Sequence, residues 1–103
     1  MLKLIGTDGK RFYSFLLEPG KYTVGRKDDS SFCVNDATVS RQHAELEVPA
    51  NGKEITIRDL GSHNGTCVNG IRVNGYAVAK RNDLVMFGQV EFRLADTEEI
   101  VKP

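Results

Sequence analysis

Residues 44–58 read AELEVPANGKEITIR, and this stretch decides the fold class. Its first part alternates hydrophobic residues with glutamates, and its last part alternates isoleucines with polar residues. A period of two residues is typical of β-strands that are buried on one face. The intervening PANG segment is rich in residues that favour turns. The stretch is therefore predicted to form a β-hairpin.

Short strands of the same kind recur along the whole chain. They are predicted at 2–5, 12–17, 22–24 and 90–94, separated by turn-forming residues. No window of ten or more residues has a convincing helical period, and 76–86 comes nearest. Many short strands at regular spacing predict an all-β fold, an antiparallel β-sandwich. The domain is predicted to span residues 1–96, and the polar residues 97–103 are predicted to be a C-terminal tail or the start of a linker.

The composition excludes several classes of protein. The chain has 103 residues, enough for one domain with a modest hydrophobic core. Its 14 basic residues balance 14 acidic ones, so it lacks the basic excess that duplex nucleic acid requires of a partner. We expect no secretory signal, because residues 1–6 lack a basic stretch followed by a long apolar run, and no apolar run approaches the roughly 20 residues that span a bilayer. We expect an intracellular protein, nuclear or cytoplasmic, with neither nucleic acid nor membrane as its partner.

Three polar loop segments stand out against the strands. Their arginine side chains offer guanidinium donors suited to phosphate, their serines offer hydroxyl donors, and an asparagine amide can pair with a peptide backbone. Each piece alone is common in ordinary turns, and the informative observation is their order and spacing in one all-β chain. The residues concerned are Gly25 and Arg26, then Ser40, Arg41 and His43, then Ser62, His63, Asn64, Gly65 and Thr66, followed by Asn69 and Gly70.

This combination resembles the signature of forkhead-associated (FHA) domains, in the form Gly25-Arg26, Ser40-x-x-His43, Asn64-Gly65-Thr66 and Asn69-Gly70. The resemblance implies a β-sandwich of about eleven strands whose loops at one end bind a phosphothreonine peptide. It implies a role in phosphorylation-dependent protein interaction, in signalling or in a DNA-damage or cell-cycle response. The early position of the motif is similar to the FHA domain that opens nibrin, a DNA-damage protein.

The resemblance also implies a role for each matching residue. Those expected to bind the phosphopeptide are Arg26, Ser40 and Arg41 at the phosphate, Asn64 at the peptide backbone, and Ser62 and His63 at the threonine methyl pocket and peptide groove. Those expected to support the site are Gly25, His43, Gly65, Thr66 and Asn69. No cofactor and no metal are implied, and the isolated domain is expected to be a monomer.

Other functions are less compatible with the sequence. A hydrolase triad of Ser40, His43 and Asp59 would lack the strand–elbow–helix context that a nucleophilic serine requires. A zinc site would lack close Cys-x-x-Cys pairs, and the two cysteines are expected to be buried free thiols. We therefore expect no enzyme activity. One alternative remains open, an interaction or dimerisation domain of the same fold that does not require phosphate.

Overall fold

The computed structural model describes residues 1–98, which form eleven β-strands. Within this range there is no helix that could span a membrane. The strands are β1 (Leu2–Thr7), β2 (Phe12–Leu17), β3 (Gly20–Gly25), β4 (Phe32–Cys33), β5 (Ala44–Val48), β6 (Glu54–Asp59), β7 (Thr66–Val68), β8 (Ile71–Arg72), β9 (Tyr76–Lys80), β10 (Leu84–Phe87) and β11 (Val90–Asp96).

The strands form two sheets that make a sandwich. One sheet has six strands in the order β2-β1-β11-β10-β7-β8, and the other has five in the order β4-β3-β5-β6-β9. The predicted β-sandwich is confirmed, with one addition: the short β4 pairs with β3 in parallel, whereas the other strand pairs are antiparallel. The predicted hairpin is β5–β6, in which Leu46 lies opposite Ile57.

The core lies between the sheets and follows the alternation of the sequence. Leu46, Ile57 and Leu94 are fully buried, while Glu47 and Glu91 on the opposite faces of their strands are exposed. Burial of a leucine side chain contributes about 2 kcal/mol of stabilisation by transfer from water. Aromatic rings extend the core, and Phe15 stacks on Phe32 with their centroids 4.6 Å apart.

Residues 76–86, where the helical period was weak, form β9, a turn and most of β10, in agreement with an all-β fold, because alternate residues such as Ala79 and Val85 enter the core. One detail differs from the sequence-based expectations. The cysteines are free thiols, but Cys33 and Cys67 are only partly buried, since both lie on short strands near the sheet margins.

The predicted domain end, residue 96, is also the last residue of β11. Of the predicted tail, only Thr97 and Glu98 belong to the described residues, and Thr97 N–H donates to the Met1 carbonyl at 2.9 Å. Residues 99–103 lie outside the described part of the chain, so the interpretation of 97–103 as a tail or linker stays a prediction.

Three loops meet at one end of the sandwich. They are the β3–β4 loop (26–31), the β4–β5 loop (34–43) and the β6–β7 loop (60–65). Backbone hydrogen bonds fasten them together: Arg26 N–H donates to the Ser40 carbonyl, and Leu60 N–H donates to the His43 carbonyl, both at 3.0 Å. The three polar segments of the sequence all lie in these loops or at the strand ends beside them.

Candidate functional site

Gly25 brings the first two loops into close contact. It ends β3, and a side chain at this position would overlap the backbone carbonyl oxygen of Arg41. Only a residue without a Cβ permits this approach. The close packing sets Arg26 beside Ser40 and therefore places the two positions expected to bind phosphate next to each other.

The side chain of Arg26 is exposed but fixed in direction. Its Nε donates a hydrogen bond of 2.9 Å to the carbonyl of Val39. Among residues 1–98 no acceptor takes a hydrogen bond from its two terminal nitrogens. Those nitrogens are thus available to an anion, and the Nε bond reduces the rotamer freedom that binding would otherwise have to remove.

Ser40 connects two loops. Its Oγ accepts a hydrogen bond of 2.9 Å from the backbone N–H of His63, and its own N–H donates to Nδ1 of His43 at 3.1 Å. A serine hydroxyl can accept and donate at the same time. Within the described residues its proton has no acceptor, so the hydroxyl can donate to a bound oxyanion.

His43 is fully buried and bridges the β4–β5 and β6–β7 loops. Because Nδ1 accepts from Ser40 N–H, the ring proton is on Nε2, which donates to the Gly65 carbonyl at 2.9 Å. Burial lowers the pKa of His43, and the Gly65 carbonyl and the Asp59 carboxylate offset part of that effect. The imidazole is therefore neutral at physiological pH and braces both loops.

Asp59 organises the β6–β7 loop, a role that the sequence analysis missed. Its Oδ2 accepts from the N–H groups of Gly61 and Ser62, and its Oδ1 accepts from the hydroxyls of Ser62 and Thr66 at 2.6 and 2.7 Å. Burial alone would raise the pKa of Asp59, but these hydrogen bonds outweigh it and leave the pKa below its ordinary value. The Asp-x-x-Ser spacing, typical of a turn closed by an aspartate, was the available signal.

Asn64 is held by the β4–β5 loop. Its Nδ2 donates to the Thr38 carbonyl at 2.8 Å, which leaves Oδ1 without a partner in the described residues. The Thr38 hydroxyl donates to Asp36 at 2.6 Å and accepts from Gln89 N–H at 2.9 Å. Thr38 was not expected from the sequence. It fixes the amide of Asn64 so that Oδ1 can accept from a peptide N–H.

These side chains surround a shared cleft of about 200 Å³, lined by Arg26, Ala37, Thr38, Val39, Ser40, His63 and Asn64. An adjoining cleft of about 460 Å³ is lined by Arg26, Lys27, Asp28, Asp29 and Arg41. Arg26 lines both clefts, whereas Arg41 lines only the second, larger one. Of the six residues expected to bind the peptide, only Ser62 lines neither cleft, because its hydroxyl is engaged with Asp59 and with Gly65 N–H.

The remaining expected support residues shape the loops. Gly65 has a φ of 86° and Asn69 a φ of 51°, in the left-handed region that glycine and asparagine tolerate best. The Asn69 side chain accepts from Leu84 N–H at 2.9 Å, which ties the β7–β8 turn to β10. Thr66 is fully buried, and its hydroxyl donates to Asp59.

Within residues 1–98, the side chains do not form the hydrolase triad or the zinc site that the sequence analysis considered. The backbone N–H of Ser40, not its hydroxyl, contacts His43, and the Asp59 carboxylate is bonded to Ser62 and Thr66. In residues 1–98 no three metal-ligating side chains converge in a way that could hold a metal ion.

Comparison with known proteins identifies the family. The FHA domain family matches residues 22–88. The chain belongs to the FHA family. It is 42% identical over 80 residues to the glycogen accumulation regulator GarA of Mycolicibacterium smegmatis, covering 78% of this chain and 48% of GarA. The FHA domain of CT664 from Chlamydia trachomatis superposes with a TM-score of 0.83 at 31% identity, covering 92% of this FHA chain and 96% of that one.

A third relative comes from a structural and functional analysis of phosphothreonine-dependent FHA domain interactions. It superposes with a TM-score of 0.78 at 30% identity, and the superposition covers 95% of this chain and 98% of that chain. The expected likeness to nibrin has weaker support. A chain of the S. pombe Nbs1–Ctp1 complex has a TM-score of 0.77 at 26% identity, with 93% of this chain and 36% of that chain covered. This FHA domain thus spans about half the length of GarA, and GarA and the oxoglutarate dehydrogenase inhibitor of Corynebacterium jeikeium, 40% identical over 80 residues, are bacterial proteins.

Proposed function

We propose that this FHA domain binds phosphothreonine peptides and thereby mediates phosphorylation-dependent protein interactions in signalling. The observation that carries the proposal is the convergence of Arg26, Ser40 and Asn64 on one cleft, each with unused hydrogen-bonding capacity toward that cleft. The relative that takes part in phosphothreonine-dependent interactions supports the same conclusion.

The charges of the site match a phosphate group. A phosphothreonine carries about −1.5 to −2 charges at neutral pH. The two guanidinium groups of Arg26 and Arg41 supply a nearly equal positive charge from neighbouring clefts. Lys27 adds less, because its ammonium lies 3.9 Å from the Asp29 carboxylate. In this proposal the Arg26 terminal nitrogens and the Ser40 hydroxyl donate to phosphate oxygens, and Arg41 reaches them from the side.

The peptide itself is held by the β6–β7 loop. Asn64 Oδ1 accepts from a backbone N–H of the peptide, and His63 lines the groove beside it. Ser62 contributes indirectly, since its hydroxyl is engaged in holding that loop. His43, Gly25, Gly65, Thr66 and Asn69 keep the loops in place without contacting the peptide.

The proposal describes a binding module, and it assigns no catalytic step to the chain. The bacterial relatives give no support to a nuclear location or a DNA-damage role. We therefore confine the proposal to signalling inside the cell, where protein kinases act.

A single substitution tests the site. Arg26→Ala removes at least one charge-assisted hydrogen bond to the phosphate, worth about 1.5–3 kcal/mol, so phosphopeptide affinity should fall roughly 10- to 150-fold or more. Arg81→Ala is the matched control, because Arg81 is an exposed arginine 3.9 Å from Asp96, on the β9–β10 turn away from the three loops. Titration of both variants with one phosphothreonine peptide should show the loss for Arg26→Ala only. Wild-type affinity in Arg26→Ala would refute the site.

A further inference from the structure

A third arginine lies against the peptide-binding loop. Arg72, on β8, pairs across the strands with Cys67 of β7. A Cβ built on Gly65 would lie 2.9 Å from Cζ of Arg72, 3.0 Å from Nε and 3.1 Å from Nη2. Because three guanidinium atoms are nearly equidistant from this Cβ position, the planar group faces Gly65 on the side where a side chain would project. The absence of a side chain at Gly65 is what makes room for it.

The guanidinium of Arg72 is held in place but is chemically unused. Its side chain is exposed, and within residues 1–98 it makes neither a hydrogen bond nor an ion pair. Two other exposed arginines are paired: Arg11 lies 3.8 Å from Asp8, and Arg81 lies 3.9 Å from Asp96. Contact with Gly65 covers part of Arg72 and satisfies none of its five N–H donors.

Arg72 lies beside the loop that is proposed to hold the peptide. Gly65 directly follows Asn64, which lines the cleft. The Gly65 carbonyl is occupied by His43 Nε2 and Gly88 N–H, so the residue is fixed. Arg72 lines neither of the clefts that contain Arg26 and Arg41. Phosphate neutralises those two arginines in the proposed complex, whereas the charge of Arg72 stays without a counter-charge.

We propose that Arg72 selects an acidic residue in the peptide segment beside the phosphothreonine. The inference rests on the proposed function, and it adds a specificity-determining residue to it. A guanidinium pairs with a carboxylate through two parallel N–H···O bonds. Because contact with Gly65 already restricts the Arg72 side chain, less rotamer entropy is lost when that pair forms.

A charge scan of the peptide tests this inference. One phosphothreonine peptide is made in three series, with Glu, Gln or Lys placed in turn at each of the four positions on either side of the phosphothreonine. Each peptide is titrated into the wild-type chain and into Arg72→Gln, Arg72→Lys and the control Arg81→Gln. Thermal unfolding of every variant separates misfolding from lost recognition.

At one flanking position or two adjacent ones, Glu should bind the wild-type chain about 3- to 5-fold more tightly than Gln, the size expected of a partly exposed ion pair. Arg72→Gln should abolish this preference, Arg72→Lys should keep only part of it because an ammonium cannot form the two parallel bonds, and Arg81→Gln should keep it in full. A wild-type chain that binds the phosphopeptides without preferring Glu, or a preference that persists in Arg72→Gln, would overturn the inference and leave the proposed function intact. Failure of every phosphopeptide to bind would overturn both.

Discussion

The imidazole of His43 donates a hydrogen bond of 2.9 Å to the backbone carbonyl of Gly65, 22 residues later in the chain, inside the core. The other ring nitrogen accepts from Ser40 N–H, so one neutral side chain links the loop of Ser40 to the loop of Asn64. The distance between the two halves of the candidate site therefore depends on a fully buried residue.

Replacement of His43 by alanine should lower both stability and affinity. The substitution leaves Ser40 N–H without its acceptor and removes one of the two donors to the Gly65 carbonyl, and an unpaired buried group costs about 1–3 kcal/mol. We expect a clear fall in the melting temperature together with weaker phosphopeptide binding. His63→Ala, at the exposed histidine of the same site, should leave melting nearly unchanged. Lost binding with unchanged melting in His43→Ala would instead make His43 a direct peptide contact.

The free energy of unfolding should decrease as the pH falls from neutral through the titration range of His43. The pKa of His43 is lowered in the folded state, so below the unfolded pKa of about 6.5 the unfolded chain takes up a proton that the folded chain does not. Proton uptake by the unfolded state favours unfolding, and the loss continues down to the lower folded pKa. Denaturant unfolding from pH 7 to pH 5 should show a slope in the wild type that His43→Gln reduces. If stability falls with pH equally in both proteins, titratable groups other than His43 cause the slope.

Ser62→Ala should act on the fold first and on binding second. The hydroxyl donates to Asp59 at 2.6 Å and accepts from Gly65 N–H at 2.9 Å, so its removal should cost about 1 kcal/mol or more. Ser14→Ala, at an exposed serine of β2, is the control and should change stability little. If Ser62→Ala weakens phosphopeptide binding while unfolding stays at the wild-type midpoint, Ser62 touches the peptide directly.

Gly25→Ala should damage the site more than an ordinary glycine substitution. The new methyl group would overlap the Arg41 carbonyl, and overpacking of this kind costs about 1–3 kcal/mol through backbone shifts. Gly9→Ala is the comparison, because Gly9 has a φ of 90° but open space around it, so only the backbone cost of about 1–2 kcal/mol applies. Phosphopeptide titration should show normal binding by Gly9→Ala and strongly weakened binding by Gly25→Ala. Normal binding by both would show that the close approach is dispensable.

The fold was accessible from the sequence wherever one face of a strand is buried. In β5, β6 and β11 the alternation of hydrophobic and polar residues matches the alternation of buried and exposed side chains. The sequence was harder to interpret for strands with both faces partly exposed, such as β9 (Tyr76–Lys80), because its small residues show no clear period of two. The parallel β3–β4 pair has only two residues in β4 and left no pattern to detect.

The site was accessible only where its residues belong to a recognisable motif. Arg26, Ser40 and Asn64 were named from their order and spacing, and the structure brings them to one cleft. Asp59 was missed although its Asp-x-x-Ser spacing is a local signal, whereas Thr38 was missed because its contact with Asn64 crosses two loops and no local pattern encodes it. Arg72 was missed for the same reason, since its contact with Gly65 depends on the pairing of β7 with β8.

The central claim is that the site recognises a phosphate on threonine, and one calorimetric titration tests it most directly. A threonine peptide is titrated in its phosphorylated and unphosphorylated forms, at low and at moderate salt. We predict micromolar affinity for the phosphorylated form, weakening as salt screens the attraction to Arg26 and Arg41, and no measurable binding of the other form. Equal affinity for the two forms would contradict the claim and favour an interaction domain that does not require phosphate.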